Sequence, residues 1–122
     1  MKLGIDIIEI ERIQKAIERN NAFIEHVYTP IEVSYCKSKG KHQYESFAGL
    51  YAAKEAFLKA LGTGMRYGSW QEIQIDHDEL GAPYITISGV FKNIFEQGGY
   101  SDVQVSISHC QNIAMAQVIL SK

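Results

Sequence analysis

No apolar run in this 122-residue chain reaches the roughly 18–20 residues that a membrane-spanning helix needs, so no membrane partner is expected. A basic excess is missing too. Lys and Arg number 12 against 14 Asp and Glu, for a formal net charge of −2, and nucleic-acid binding ordinarily demands the opposite balance. An acidic partner would have to dock on a local basic patch. Cysteine is scarce: Cys36 and Cys110 fit no metal-ligand spacing. The start, "MKLGIDIIEI", has a Lys and then aliphatics, but Asp6 and Glu9 interrupt it and no small-residue cleavage site follows. The expectation is therefore two free thiols in a reducing compartment, the cytoplasm. Internal repeats, linkers and low-complexity runs are absent, and one domain over residues 1–122 is expected.

What is present is an ordinary globular mixture, 46% apolar and 21% charged. Residues 3–10, "LGIDIIEI", are β-branched and almost continuously apolar, which predicts a strand covered on both faces. Helical spacing of Ile13, Ala16 and Ile17 predicts a helix over 11–19, which "NAFIEHVY" continues or kinks. "TPIE" is a helix start, with Thr29 as cap, Pro30 at the first helical position and Glu32 completing a capping box. A long helix over 47–61, starting there or a few residues earlier, is closed by Gly62. Alternation in "EIQID" and "PYITI" around "HDELGA" predicts a hairpin. An amphipathic helix capped by Ser88 and stopped by Gly98 precedes a second hairpin, "DVQVSISH" and "IAMAQVIL". The order β-α-α-α-β-β-α-β-β predicts an α+β fold, with an antiparallel sheet packed against the long central helix.

The stretch "FAGLYAAKEAFLKALGTG", 47–64, is apolar on nearly every side, yet it holds Lys54, Glu55 and Lys59. Phe47, Leu50, Tyr51, Phe57, Leu58 and Leu61 crowd one face of the helix; alanines fill the other. Small side chains there admit another backbone or a ligand. Glu55 and Lys59 lie four apart at the edge of the alanine face, either as a surface ion pair or as groups offered to a ligand. Lys54 points into the bulky face, where it snorkels out or meets an internal acceptor. Asp6 is a strand-end acid, or it joins Glu55 around a divalent cation, since magnesium takes one or two carboxylates and completes its shell with water and phosphate oxygens.

"GTG" at 62–64 is a plain helix stop or a bend offering N–H groups to an anion. His109 at the end of "SISH" is structural or a phosphate contact. Ser106 and Ser108 lie in a strand and form no hydrolase triad. Carboxylates for a metal and cations for oxyanions, without a nucleophile, suggest phosphate chemistry between two bound substrates.

"GIDIIEIERI", "FAGLYAAKEAFLKALGTG", "ELGAPY" and "SISH" occur in order and at fitting spacing. In these the chain resembles the short bacterial 4′-phosphopantetheinyl transferases, the holo-acyl-carrier-protein synthases, from about residue 3 to residue 120. The resemblance implies the 4′-phosphopantetheinyl transferase fold. It also implies transfer of phosphopantetheine from coenzyme A to a serine of apo acyl carrier protein, with adenosine 3′,5′-bisphosphate released, in support of fatty acid biosynthesis. It implies homotrimers with sites between subunits. By the same resemblance Asp6 and Glu55 hold Mg2+, and Lys59 neutralises the diphosphate and protonates its leaving oxygen, with Glu55 and Lys59 the catalytic pair. Lys59, Gly62, Thr63, Gly64, Pro83 and His109 contact the coenzyme, and Arg12, assisted by Arg19, docks the acidic carrier protein. At Leu50 and Ala22 the chain is apolar where the family is commonly basic. The rival readings are a coenzyme A binding module without turnover, a metal-dependent diphosphohydrolase needing no acceptor, and a structural interaction protein indifferent to magnesium.

Overall fold

Asn20 divides what the sequence leaves as one helix or two. Its backbone is extended (φ −163°, ψ 129°), and its side chain accepts from Ala22 N to start a separate helix. The chain, described over Met1–Lys122 by a computed structural model, thus carries four helices ahead of its second strand rather than three. These are α1 (Ile10–Arg19), α2 (Asn21–Val27), α3 (Pro30–Lys37) and α4 (Gln43–Leu61), after strand β1 (Lys2–Glu9). Then follow β2 (Ile73–His77), β3 (Pro83–Ile87), α5 (Gly89–Gln97), β4 (Asp102–Cys110) and β5 (Ile113–Ser121).

The strands form two antiparallel sheets, one ordered β1-β5-β4 and the other β2-β3. Helix α4 lies across the larger sheet and supplies much of the core, including Phe47, Leu50, Ala52, Ala53, Ala56, Phe57 and Leu58. Its alanine face meets backbone, not ligand. At Gly4 of β1 an added Cβ would collide with the Ala56 carbonyl and come within 2.7 Å of Ala60 N. Glycine is required there because helix and strand touch.

Two expectations need correction. Strand β1 is covered on one face only: Gly4 and Ile8 are buried beneath α4, while Leu3, Ile5 and Ile7 are each more than half exposed. Continuous apolarity signals two buried faces only when something covers the second. Ser88 occupies the cap position of α5 without a side-chain cap bond. Glu72 does that work from a distance, its Oε1 accepting from Phe91 N at 3.1 Å. The capping box at Thr29, Pro30 and Glu32 is as expected, and Gly62 ends α4 at φ +87° with its N–H on Leu58 O.

Candidate active site

Period-2 alternation puts Asp6 on the same face of β1 as Gly4 and Ile8, beneath α4. The close approach at Gly4 brings the last turns of α4 to the strand. There Lys59 Nζ donates to Asp6 Oδ1 at 2.9 Å and to Ile5 O at 3.0 Å. Lys59 therefore pairs across elements, not with its helical neighbour Glu55. The Asp6 side chain is 14% exposed and that of Lys59 54%, so the carboxylate is fixed while the ammonium has room to swing.

Glu55 completes the cluster. Burial and then the negative charge of Asp6 push its carboxyl above the usual range, while Lys59, the nearby Tyr51 hydroxyl and Arg12 oppose the shift. Tyr51 is raised in turn by burial and by Glu55. Asp6, Glu55, Lys59, Tyr51 and Arg12 thus share one electrostatic neighbourhood where β1, α1 and α4 converge. Arg12 is exposed on α1, and Arg19, also exposed, lies two turns further along. Gly62, Thr63 and Gly64 follow at once beyond α4, with left-handed backbone at Gly62 and Gly64 and the Thr63 hydroxyl on Gly64 O at 2.9 Å.

Pro83 and His109 are elsewhere. With Leu50, Tyr35, Gly49 and His77 they line a cleft of roughly 180 Å3 on the β4 side of α4. The His77 ring stacks on Tyr35 at 3.7 Å between centroids, and Lys39 lies over the other ring at 4.8 Å. Burial lowers His77, as does Lys39. Leu50 and Lys59 are nine residues apart on α4, about 13 Å along the axis and half a turn around it. One chain therefore presents two separate clusters on opposite sides of one helix, and it does not bring Asp6, Glu55 and Lys59 together with Pro83 and His109.

Lys54 belongs to neither. Its ammonium is wholly buried and meets Glu32 Oε1 at 2.8 Å and Trp70 O at 3.1 Å, so an internal acceptor takes it. Sequence reasoning missed Tyr51 as a neighbour of Glu55, although Tyr51, Glu55 and Lys59 at i, i+4 and i+8 form one row along the helix. It also missed the Tyr35–His77 stack, for which no local pattern exists.

The residues fit a hard divalent cation. Asp6 and Glu55 offer only carboxylate oxygens from two elements, and no cluster of three or more His, Cys, Asp or Glu forms a closed cage. Burial and then the negative charge of Asp6 raise Glu55, a cation between the two acids would offset both, and the Lys59 ammonium already sits on Asp6.

An α+β fold with acids and a lysine gathered at a strand–helix junction suits a phosphate-handling enzyme, and the comparisons show the class to be a transferase. A family model described as the 4′-phosphopantetheinyl transferase superfamily matches residues 2–118, and the chain belongs to that family. It is 44% identical over 121 residues to the holo-[acyl-carrier-protein] synthase of Geotalea daltonii, covering 98% of this chain and 96% of that one. The holo-[acyl-carrier-protein] synthase of Helicobacter pylori, solved in complex with coenzyme A, superposes with a TM-score of 0.83 at 36% identity, covering 98% of this chain and 99% of that one. The enzyme from Neisseria meningitidis gives 0.90 at 34% identity, over 99% and 98%. The resemblance read from the motifs is borne out, as is the fold.

Proposed function

We propose that this chain transfers 4′-phosphopantetheine from coenzyme A to a serine of apo acyl carrier protein, releasing adenosine 3′,5′-bisphosphate, in support of fatty acid biosynthesis. The observation that carries the reading is the convergence of Asp6, Glu55 and Lys59 in a chain of this family. Asp6 and Glu55 would hold Mg2+, which when bound supplies positive charge at the diphosphate. Lys59 turns from Asp6 to the phosphate oxygens and stabilises the charge that grows there. The serine oxygen attacks the β-phosphorus in line, and the bond from that phosphorus to the bridging oxygen breaks. Lys59 protonates the departing oxygen. The serine proton passes to Glu55 or to a water held beside it. Gly62, Thr63 and Gly64 border the coenzyme beside Lys59.

Pro83 and His109 contact the nucleotide end of coenzyme A from a neighbouring copy in this reading. The opposite placement of the half-sites on α4 favours sites completed between subunits. The exposed stripe of Leu3, Ile5 and Ile7 beside Met115 gives the copies an apolar face to share, as a homotrimer requires. Arg12 and Arg19 form the basic surface for the carrier protein. The free thiols, Cys36 buried and Cys110 exposed, suit the cytoplasm.

Intact-mass analysis of apo acyl carrier protein incubated with this chain, coenzyme A and Mg2+ tests the proposal. A gain of one phosphopantetheine, lost with a chelator, is expected. No gain on a carrier that another transferase can load overturns it, and coenzyme A cleavage without any carrier selects the diphosphohydrolase instead.

A further inference from the structure

Ten residues line the cleft on the β4 side of α4, and none of them is a lysine or an arginine. Only His77 and His109 among them can carry positive charge, while Glu45 brings a carboxylate. The acids around His77 are already engaged. Glu45 Oε2 meets His42 Nδ1 at 3.1 Å. Asp76, the strand neighbour of His77, accepts from Gln74 Nε2 at 3.0 Å and from Thr86 Oγ1 at 2.6 Å. Asp78 Oδ1 accepts from Leu80 N at 2.9 Å and Ala82 N at 2.8 Å, which fixes the turn that follows. His77 is held differently, by the face of its ring. The imidazole lies on Tyr35 of α3 with centroids 3.7 Å apart and planes at 8°, and the Lys39 ammonium stands 4.8 Å from the phenol centroid. Stacking restrains a ring through its face and leaves the two nitrogens on its edge to bind something else. Burial and then Lys39 lower His77, against Asp76 and Asp78, so the ring is mostly uncharged near neutral pH.

We propose that His77 is a binding residue for the 3′-phosphate of coenzyme A, steadied by Tyr35 and taking up a proton as the phosphate arrives. The inference rests on the proposed function, which sends the diphosphate to Lys59 and the nucleotide end to this cleft. What remains at that end is the 3′-phosphomonoester that leaves in adenosine 3′,5′-bisphosphate. Such a group carries about −1.5 to −2 charges at pH 7, and beside Glu45 and the apolar Leu50 it needs a counter-charge. An anion at this distance favours the protonated imidazole and reverses the effect of burial. The proton comes from solvent, and His109 faces the same space from β4.

Calorimetric titration with coenzyme A and with dephospho-coenzyme A, which lacks the 3′-phosphate, tests the inference in the presence of Mg2+ and without carrier. His77→Phe keeps a ring on Tyr35 and removes both nitrogens. It is expected to weaken coenzyme A binding about ten-fold or more, the worth of a hydrogen bond to a charged group, and to leave dephospho-coenzyme A binding unchanged. Wild-type chain should take up protons on binding coenzyme A near neutral pH, read from the heat in buffers of different ionisation enthalpy, and His77→Phe should take up fewer. Tyr35→Leu keeps the imidazole without its platform and should show the same selective loss in smaller measure. A folded His77→Phe chain that binds coenzyme A like the wild type, or that loses both ligands equally, overturns the inference and leaves the transferase reading intact. Wild-type chain that binds coenzyme A no better than dephospho-coenzyme A overturns it too. Wild-type chain that binds neither removes the reading of the cleft, and the inference with it.

Discussion

Lys54 Nζ meets Glu32 Oε1 at 2.8 Å with neither side chain exposed to solvent. Glu32 is fully used: the same oxygen accepts from Thr29 N at 2.8 Å and Oε2 accepts from Ile75 N at 2.7 Å. The pair therefore ties α3, α4 and β2 at one point. Burial lowers Lys54 from its ordinary value and Glu32 opposes that shift. Burying two charges is costly, and removing one partner is costlier still because the other stays behind uncompensated. Lys54→Met should lower unfolding stability by about 3–5 kcal/mol, read from urea denaturation. Adding Glu32→Leu should recover only part of that, since the Thr29 and Ile75 N–H groups then lack an acceptor.

Two glycines should respond differently to the same change. Gly4→Ala forces a methyl group into the backbone of α4, and a loss of at least ~1–3 kcal/mol follows from overpacking. It also shifts β1 against α4, so the Asp6–Lys59 contact and transfer activity should fall with it. Gly62→Ala meets open space, and its left-handed backbone alone should cost roughly 1–2 kcal/mol. Thermal unfolding and the carrier-loading assay, run on both variants, separate steric from conformational cost.

His77 should make the fold acid-sensitive. Its folded-state value is lowered from 6.5, by burial first and then by Lys39, against Asp76 and Asp78. Protons then bind the unfolded chain more readily than the folded one, so the contribution is complete above the ordinary histidine value and is lost as pH falls through the lowered one. Melting temperatures between neutral and mildly acidic pH should decline less steeply for His77→Phe, which keeps an aromatic ring on Tyr35. Equal slopes for both chains would remove His77 as the cause.

The proposed division of the site between copies makes a mixing experiment decisive. Asp6→Ala should abolish transfer with the fold intact, and His109→Ala should impair it. Mixing the two chains after dissociation and reassembly should restore activity, because some interfaces then join an intact Asp6 half to an intact His109 half. Activity no greater than the sum of the separate chains would mean that each copy works alone. Ile5→Lys, placed on the exposed apolar stripe, should dissociate the assembly by sedimentation and lower activity together.

Much of this is legible in the sequence alone. The capping box at Thr29, the hairpin over "HDELGA" and the glycine stop of α4 are local signals, set by hydrogen bonds a few residues apart, and each appears where expected. Asp6, Glu55 and Lys59 were legible as odd charges in apolar elements. Their pairing was not: whether Lys59 turns to Glu55 four residues away or to Asp6 across the chain depends on how closely β1 approaches, which Gly4 decides. The cap of α5 escaped for the same reason, since Glu72 lies well upstream of the helix it closes. The bare face of β1 escaped because apolarity marks what wants cover without saying whether this chain or another supplies it.

Helix α4 carries Leu50 at the cleft and Lys59 at the acidic cluster on a single rigid rod. Its length is thereby a phase relation as well as a span. One residue inserted between them would rotate the two ends by about 100° relative to each other and lengthen the spacing by roughly 1.5 Å. A surface loop away from both clusters carries no such constraint; the interval from Leu50 to Lys59 does.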